Sequence, residues 1–92
     1  MDTAVVAAIG SQGRDLGFNL FTIQSVQAMV LAVQSGEVPL PFDQYVAEKY
    51  LVSGDFLQAL DLLMQFSHYN NFLARCRDYA GRNGMLFDIH IP

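Results

Sequence analysis

Residues 50–63 read YLVSGDFLQALDLL, and this stretch decides the helical fold that the sequence predicts. Gly54 can adopt the left-handed conformation that ends one helix, and Asp55 can cap the next helix immediately afterwards. Gln58, three residues after Asp55, completes the D-x-x-Q pattern of a capping box. Because so short a connection forces two helices to pack antiparallel, the sequence predicts a mainly α fold, a small helical domain built on an antiparallel helical hairpin around Gly54.

The composition predicts that this domain associates with another protein chain. Of the 92 residues, 52% are hydrophobic and only 15% are charged, whereas the usual charged share is about 25%. A chain of this length forms one domain over residues 1–92, and such a domain buries only about 60 to 65% of its unfolded surface. The apolar surplus therefore predicts a homo-oligomer, with a dimer favoured, or a permanent protein partner.

Charge and cysteine content narrow the class of protein. The net charge of −4 argues against a general nucleic-acid binder, which needs a basic surface. The single cysteine, Cys76, permits no internal disulfide and fits a reducing compartment. The acidic N-terminus does not resemble a secretory signal, and the most apolar stretch, residues 18–33, is shorter than the roughly 20 residues that span a bilayer. We expect a cytoplasmic protein that does not bind membranes.

The N-terminal residues 1–17 are predicted as a short apolar segment followed by a connector. Residues 2–9 read as either a strand or a helix, and their length does not decide between the two. Residues 10–17, GSQGRDLG, are predicted to be a flexible glycine-rich connector, because the glycine spacing matches neither nucleotide-binding fingerprint.

A helix is predicted over residues 18–35, with Asn19 as its cap and Gly36 just past its end. The apolar residues that form its main face recur at steps of three and four residues. Leu20 and Leu31 fall on the opposite side, which predicts that this helix is covered on both sides.

Three further elements are predicted towards the C-terminus. Residues 41–53 form the first helix of the hairpin, beginning near a proline that suits a first helical turn. Apolar periodicity over residues 55–80 favours one long helix, kinked near 67–71, over a break with a separate last helix capped by Asn70 or Asn71. Residues 85–91 alternate apolar and polar side chains and are predicted to be a strand.

Within the hairpin, the motif Tyr50-x-x-x-Gly54-Asp55-Phe56-x-x-Ala59 resembles the turn of a tetratricopeptide repeat, a helical hairpin used for protein binding. The family's small residue on the first helix falls at Ala47, and the resemblance covers residues 47–63. The sequence departs from the family at three positions, Asp43, Phe66 and Asn71, where the repeat has an aromatic residue, an alanine and a proline. No second copy appears at the expected period of 34 residues.

No catalytic, metal or cofactor site is predicted. Cys76 with His68 or His90 could pair a nucleophile with a base. Cys76, however, lies on the apolar stripe of a helix, as buried structural cysteines do. No histidine pair has metal-ligand spacing. The turn could also belong to a helix-turn-helix DNA-binding regulator, but its second helix has no basic residue before Arg75 to contact phosphate.

The functional hypothesis that remains is a small non-enzymatic protein-binding adaptor, chaperone or inhibitor of the kind that phages and secretion systems use, acting through a helical groove or a strand edge. The alternative is a self-assembling structural subunit. The candidate residues for the partner or self-interface are Leu20, Leu31, Arg75, Arg77, Arg82, Phe87, Ile89 and Ile91.

Overall fold

The computed structural model describes residues 3–39, 51–69 and 71–89. Within these ranges the chain forms helices α1 (Thr3–Asp15), α2 (Leu20–Gln34), α3 (Phe56–Phe66) and α4 (Phe72–Arg82), and it forms no β-strand. The prediction of a mainly α fold is confirmed. Helix α2 is central, since it packs against each of the other three helices, and α1 also packs against α3.

Helix α1 corrects the prediction for the N-terminal residues. Thr3–Asp15 is one helix, which settles the choice between strand and helix for the first apolar segment. The helix continues through Gly10 and Gly13, so the flexible connector predicted over residues 10–17 is wrong.

The two glycines of α1 are where this helix approaches α2. A Cβ atom at Gly10 would lie 2.5 Å from Nε2 of Gln27, and one at Gly13 would lie 2.7 Å from Cγ1 of Ile23. The Gln27 amide group donates a hydrogen bond to the carbonyl of Val6 at 3.0 Å. The glycines therefore permit close helix packing, although their frequency in the sequence is typical of a loop.

Helix α2 begins as the sequence predicts. The side chain of Asn19 accepts a hydrogen bond from the N–H of Thr22 at 2.8 Å, which confirms Asn19 as the cap. Its buried residues lie on several sides of the helix and are Ile23, Ser25, Val26, Ala28, Met29, Val30 and Ala32. This helix is therefore the middle of the hydrophobic core.

The turn at Gly54 has the predicted geometry. Gly54 has a φ of +74°, and the carboxylate of Asp55 accepts a hydrogen bond from the N–H of Gln58 at 3.0 Å as the N-cap of α3. Most of the preceding helix predicted over residues 41–53, with the repeat-family position Ala47, lies outside the described residues. The antiparallel hairpin and the repeat resemblance therefore stay predictions.

The chain breaks between α3 and α4, so the single long helix predicted over residues 55–80 is wrong. The hydroxyl of Ser67 donates to the carbonyl of Met64 at 2.7 Å, and Asn71 has a left-handed backbone with a φ of +57°. Serine and asparagine are poor residues for a helix interior because their side chains compete for backbone hydrogen bonds. Asn71 occupies the N-cap position of α4 without a side-chain cap bond, and Asn70 lies outside the described residues.

The C-terminal residues 85–89, here called the tail, are irregular, so the strand predicted over residues 85–91 is wrong for the described part. The N–H groups of Leu86 and Asp88 donate to side-chain oxygens of α2 and not to the backbone of a neighbouring strand. These side-chain acceptors on α2 take the place of the backbone hydrogen bonds to a neighbouring strand that would make this segment a β-strand.

Candidate functional site

Gln12 joins α1 to the turn at Gly54. Its amide nitrogen donates to the carbonyl of Gly54 at 2.8 Å, and its amide oxygen accepts from the N–H of Phe56 at 3.0 Å. The ring of Phe18, just before α2, lies 4.8 Å from the ring of Phe56. The α1–α2 junction and the turn before α3 therefore lie at the same end of the molecule.

In the part of the chain that the structure describes, most of the large exposed apolar side chains lie beside these two junctions. Five large residues flank the two junctions and are between 49% and 61% exposed: Leu16, Leu20, Phe21, Val52 and Leu57. We call these five residues the end surface. Large exposed apolar residues are ordinary when scattered, but a cluster of them is typical of an interaction site.

The end surface is almost free of charge. Between residues 16 and 21 and between 51 and 57, the only charged residue is Asp55, whose carboxylate is occupied in capping α3. Exposed Arg14 and Asp15 lie at the margin, at the end of α1. A protein that binds here would gain mainly from apolar burial, about 25 cal/mol per Å² removed from water.

The two α2 residues predicted at an interface have different surroundings. Leu20 is 53% exposed and belongs to the end surface. Leu31 is half-buried and packs against the hydrophobic core, so it offers less surface to a partner than the helical periodicity suggests.

The three predicted arginines are exposed on α4, but their contacts differ. Arg82 forms ion pairs with Glu37 and Asp78, and hydrogen bonds to both carboxylates raise the pKa of its guanidinium group. The guanidinium of Arg77 lies 5.6 Å from the centre of the Phe87 ring. The three side chains therefore do not act as one cationic patch.

Arg75 and Arg82 line a shallow cleft beside α4. The cleft has a volume of about 350 Å³ and is lined by Glu37, Val38, Asn71, Ala74, Arg75, Asp78 and Arg82. Its charges of both signs compensate one another within the cleft, so it has no strong preference for an anion or a cation.

Phe87 and Ile89 in the tail are half-buried and pack against the core. Between them, the N–H of Asp88 donates to the hydroxyl of Ser25 at 2.8 Å, and the N–H of Leu86 donates to the side-chain oxygen of Gln24 at 2.8 Å. The tail thus lies along α2 in a space that α4 also borders, which we call the tail groove. Ile91 lies outside the described residues.

Cys76 is fully buried in α4. Burial raises the pKa of its thiol to about 12, because the charged thiolate loses hydration. The side chain is therefore a protonated thiol at neutral pH, and the nucleophilic form is the thiolate. His68 is exposed on the surface, and His90 lies outside the described residues.

Over residues 3–39, 51–69 and 71–89, no cluster of three or more His, Cys, Asp or Glu side chains could hold a metal ion. In the same ranges, none of the helices has the length and apolar character needed to cross a membrane. Comparisons of the chain with protein-family models, with curated proteins and with solved structures find no match.

Proposed function

We propose that the protein is a small non-enzymatic binding protein, an adaptor, chaperone or inhibitor, that works as a homodimer in the cytoplasm. The observation that carries the proposal is the end surface, where five large apolar side chains lie at least 49% exposed at one end of the molecule. Such a surface is stabilised when another protein covers it.

A second copy of the chain is the occupant that we assign to the end surface. A two-fold dimer buries the same patch on both subunits and closes without leaving a second patch exposed. Arg14 and Asp15 carry opposite charges at the margin of the patch, so a two-fold arrangement can bring them together across the interface. Because the patch itself is nearly uncharged, the affinity of the dimer should change little with ionic strength.

The tail groove is the surface that we assign to a different protein. It is a space beside α2 and α4 that already holds the tail, and grooves between helices are a common mode of peptide recognition. With the dimer formed at the end surface, each subunit still presents one groove.

Light scattering coupled to size-exclusion chromatography tests the dimer. Leu20→Asp should give a monomer, and aspartate in the first turn of α2 should not destabilise that helix, since it faces the positive end of the helix dipole. The matched control is Leu86→Asp, which changes a leucine that is 37% exposed and lies outside the end surface.

Three outcomes decide the proposal. A dimeric wild-type protein and a monomeric Leu20→Asp variant support it. A monomeric wild-type protein at high micromolar concentration refutes the dimer. A ring or filament of high mass supports the alternative function, a self-assembling structural subunit, and refutes the adaptor.

A further inference from the structure

The tail occupies its groove in the way that a bound peptide would. The N–H groups of Leu86 and Asp88, two residues apart, both donate to side chains of α2. Side chains two residues apart also share one side of an extended segment. Accordingly, Phe87 and Ile89 face the core while Leu86 and Asp88 are exposed.

The groove provides acceptors of its own for such a segment. Ser25 is fully buried, and its hydroxyl donates to the carbonyl of Phe21 at 2.6 Å, which leaves its oxygen free to accept the N–H of Asp88. Arg77 covers the aromatic ring at the first apolar position, where a cation and a ring face attract each other.

We propose that the tail groove is a docking site for an extended segment of a partner protein, and that the tail is its built-in competitor. The segment that fits has two apolar residues separated by one residue, the first of them aromatic, and free backbone N–H groups on the residues that flank the aromatic one. This inference rests on the proposed binding function and specifies the chemistry of the ligand.

Exchange of the tail for a partner segment needs a hinge and a weakly held tail. Gly84 has a φ of +66°, and the N–H of Met85 closes α4 by donating to the carbonyl of Ala80 at 2.8 Å. Beyond this closure, rotation about the backbone bonds of Met85 moves the tail while the closing bond from the Met85 N–H to Ala80 stays intact. The tail has no strand pairing with the described residues, and its two inward side chains are only half-buried.

Competition predicts how the affinity should depend on the tail. When the tail occupies the groove, the apparent affinity for a partner segment falls in proportion to the fraction of molecules with an open groove. Weakening the tail raises that fraction, so binding in trans should become tighter.

The experiment uses the full chain and a fluorescent peptide with the sequence of residues 84–89, GMLFDI, blocked at both ends. The double variant Phe87→Ser with Ile89→Ser should bind this peptide about tenfold or more tightly than the wild type does, measured by fluorescence anisotropy. The matched control, Leu86→Ser with Asp88→Ser, changes two exposed tail residues and should bind like the wild type. A peptide with serine in place of its phenylalanine and isoleucine should not bind.

Equal affinity of the wild type and the double variant for GMLFDI would overturn the inference. If the double variant fails to fold, as judged by circular dichroism, NMR on isotope-labelled wild type decides. Excess unlabelled peptide should displace the tail and shift the amide signals of Leu86 and Asp88 in the chain, whose N–H groups lose their acceptors on α2. Unchanged signals would refute the docking site.

The light-scattering mass separates this inference from the proposed dimer. If the wild type is a dimer but GMLFDI does not bind, the proposed dimer is supported and the docking site in the tail groove is refuted. Conversely, a double variant that becomes monomeric shows that the tail is exchanged between copies, which would also overturn the inference.

Discussion

Replacing Gln12 by alanine should destabilise the fold by about 1.5 kcal/mol. The side chain forms hydrogen bonds to the carbonyl of Gly54 and to the N–H of Phe56, and each such bond contributes about 0.5 to 1.5 kcal/mol net. Two such bonds give a combined range of about 1 to 3 kcal/mol. Since Gln12 is itself an exposed residue, water can replace part of what is lost, so we expect a value in the lower half of that range. For a domain of this size the melting temperature should fall by about 6 to 12 °C.

Gln65→Ala is the matched control for this prediction. Gln65 also makes a side-chain hydrogen bond, to Asp61 at 2.6 Å, but that bond is exposed and lies within one helix. Pairs of this kind contribute only about 0.2 to 0.5 kcal/mol, and the change in helix propensity from glutamine to alanine is common to both variants. Urea denaturation followed by circular dichroism measures both free energies of unfolding. Equal losses in the two variants would refute the role assigned to Gln12.

Three further changes have defined outcomes. Gly54→Ala should cost about 1 to 2 kcal/mol because of its left-handed backbone, whereas Gly81→Ala, where an added Cβ meets open space in α4, should stabilise by about 0.5 to 1 kcal/mol; thermal melts compare the two. Asp55→Ala should cost about 0.5 to 2 kcal/mol through the lost cap, while Asp61→Ala should change the free energy of unfolding by only a few tenths, and similar values would contradict the helix boundary. Because the pKa of Cys76 is raised from 9.0 to about 12, the unfolded thiol ionises first as the pH rises. Ionisation of Cys76 should then leave the stability unchanged below pH 9 and lower it by about 1.4 kcal/mol per pH unit between pH 9 and about 12, a slope that Cys76→Ala should lack in pH-dependent urea titrations.

The starts of α2 and α3 were predictable because their chemistry is local. Asn19 and Asp55 each bond to an N–H three residues further on, and Gly54 adopts the backbone that its own lack of a Cβ permits. All the atoms involved lie within a few residues of one another, so the sequence alone carries the signal.

The features that sequence reasoning missed depend on contacts between distant residues. Gly10 and Gly13 suggest a loop until α2 is seen against them. Residues 85–89 do alternate between half-buried and exposed side chains. The N–H groups of Leu86 and Asp88, however, donate to side chains of α2, and no local sequence pattern distinguishes such acceptors from the backbone of a neighbouring strand. The break after Phe66, by contrast, is a local feature that the apolar periodicity outweighs in the sequence prediction. The break shifts the helical register, so that Phe72 is buried while Leu73 is only half-buried.

The candidate surface was predictable only in part. Leu20 was found because it opposes the main apolar face of α2. The other members of the end surface, Leu16, Phe21, Val52 and Leu57, were not predicted. The available signal was their position beside two glycine-containing junctions, because apolar side chains there have no helix periodicity to explain them.

The hydrogen bond between Asp88 and Ser25 joins residues 63 positions apart, and this separation has a consequence for how the protein forms during synthesis. Helix α2 is translated before the tail that covers Ser25, so the nascent chain holds this central helix of the core without part of its cover. The hydrogen bond between Phe56 and Gln12 joins residues 44 positions apart. Closing a loop of 63 residues instead of 44 adds only about 0.3 kcal/mol of closure entropy. The delay therefore comes from the order of translation and not from the free-energy cost of closing the loop. The contact between the tail and α2 can therefore form only after residues 85–89 have been synthesised, and a chain that has not reached them exposes this part of α2 and is more prone to aggregate.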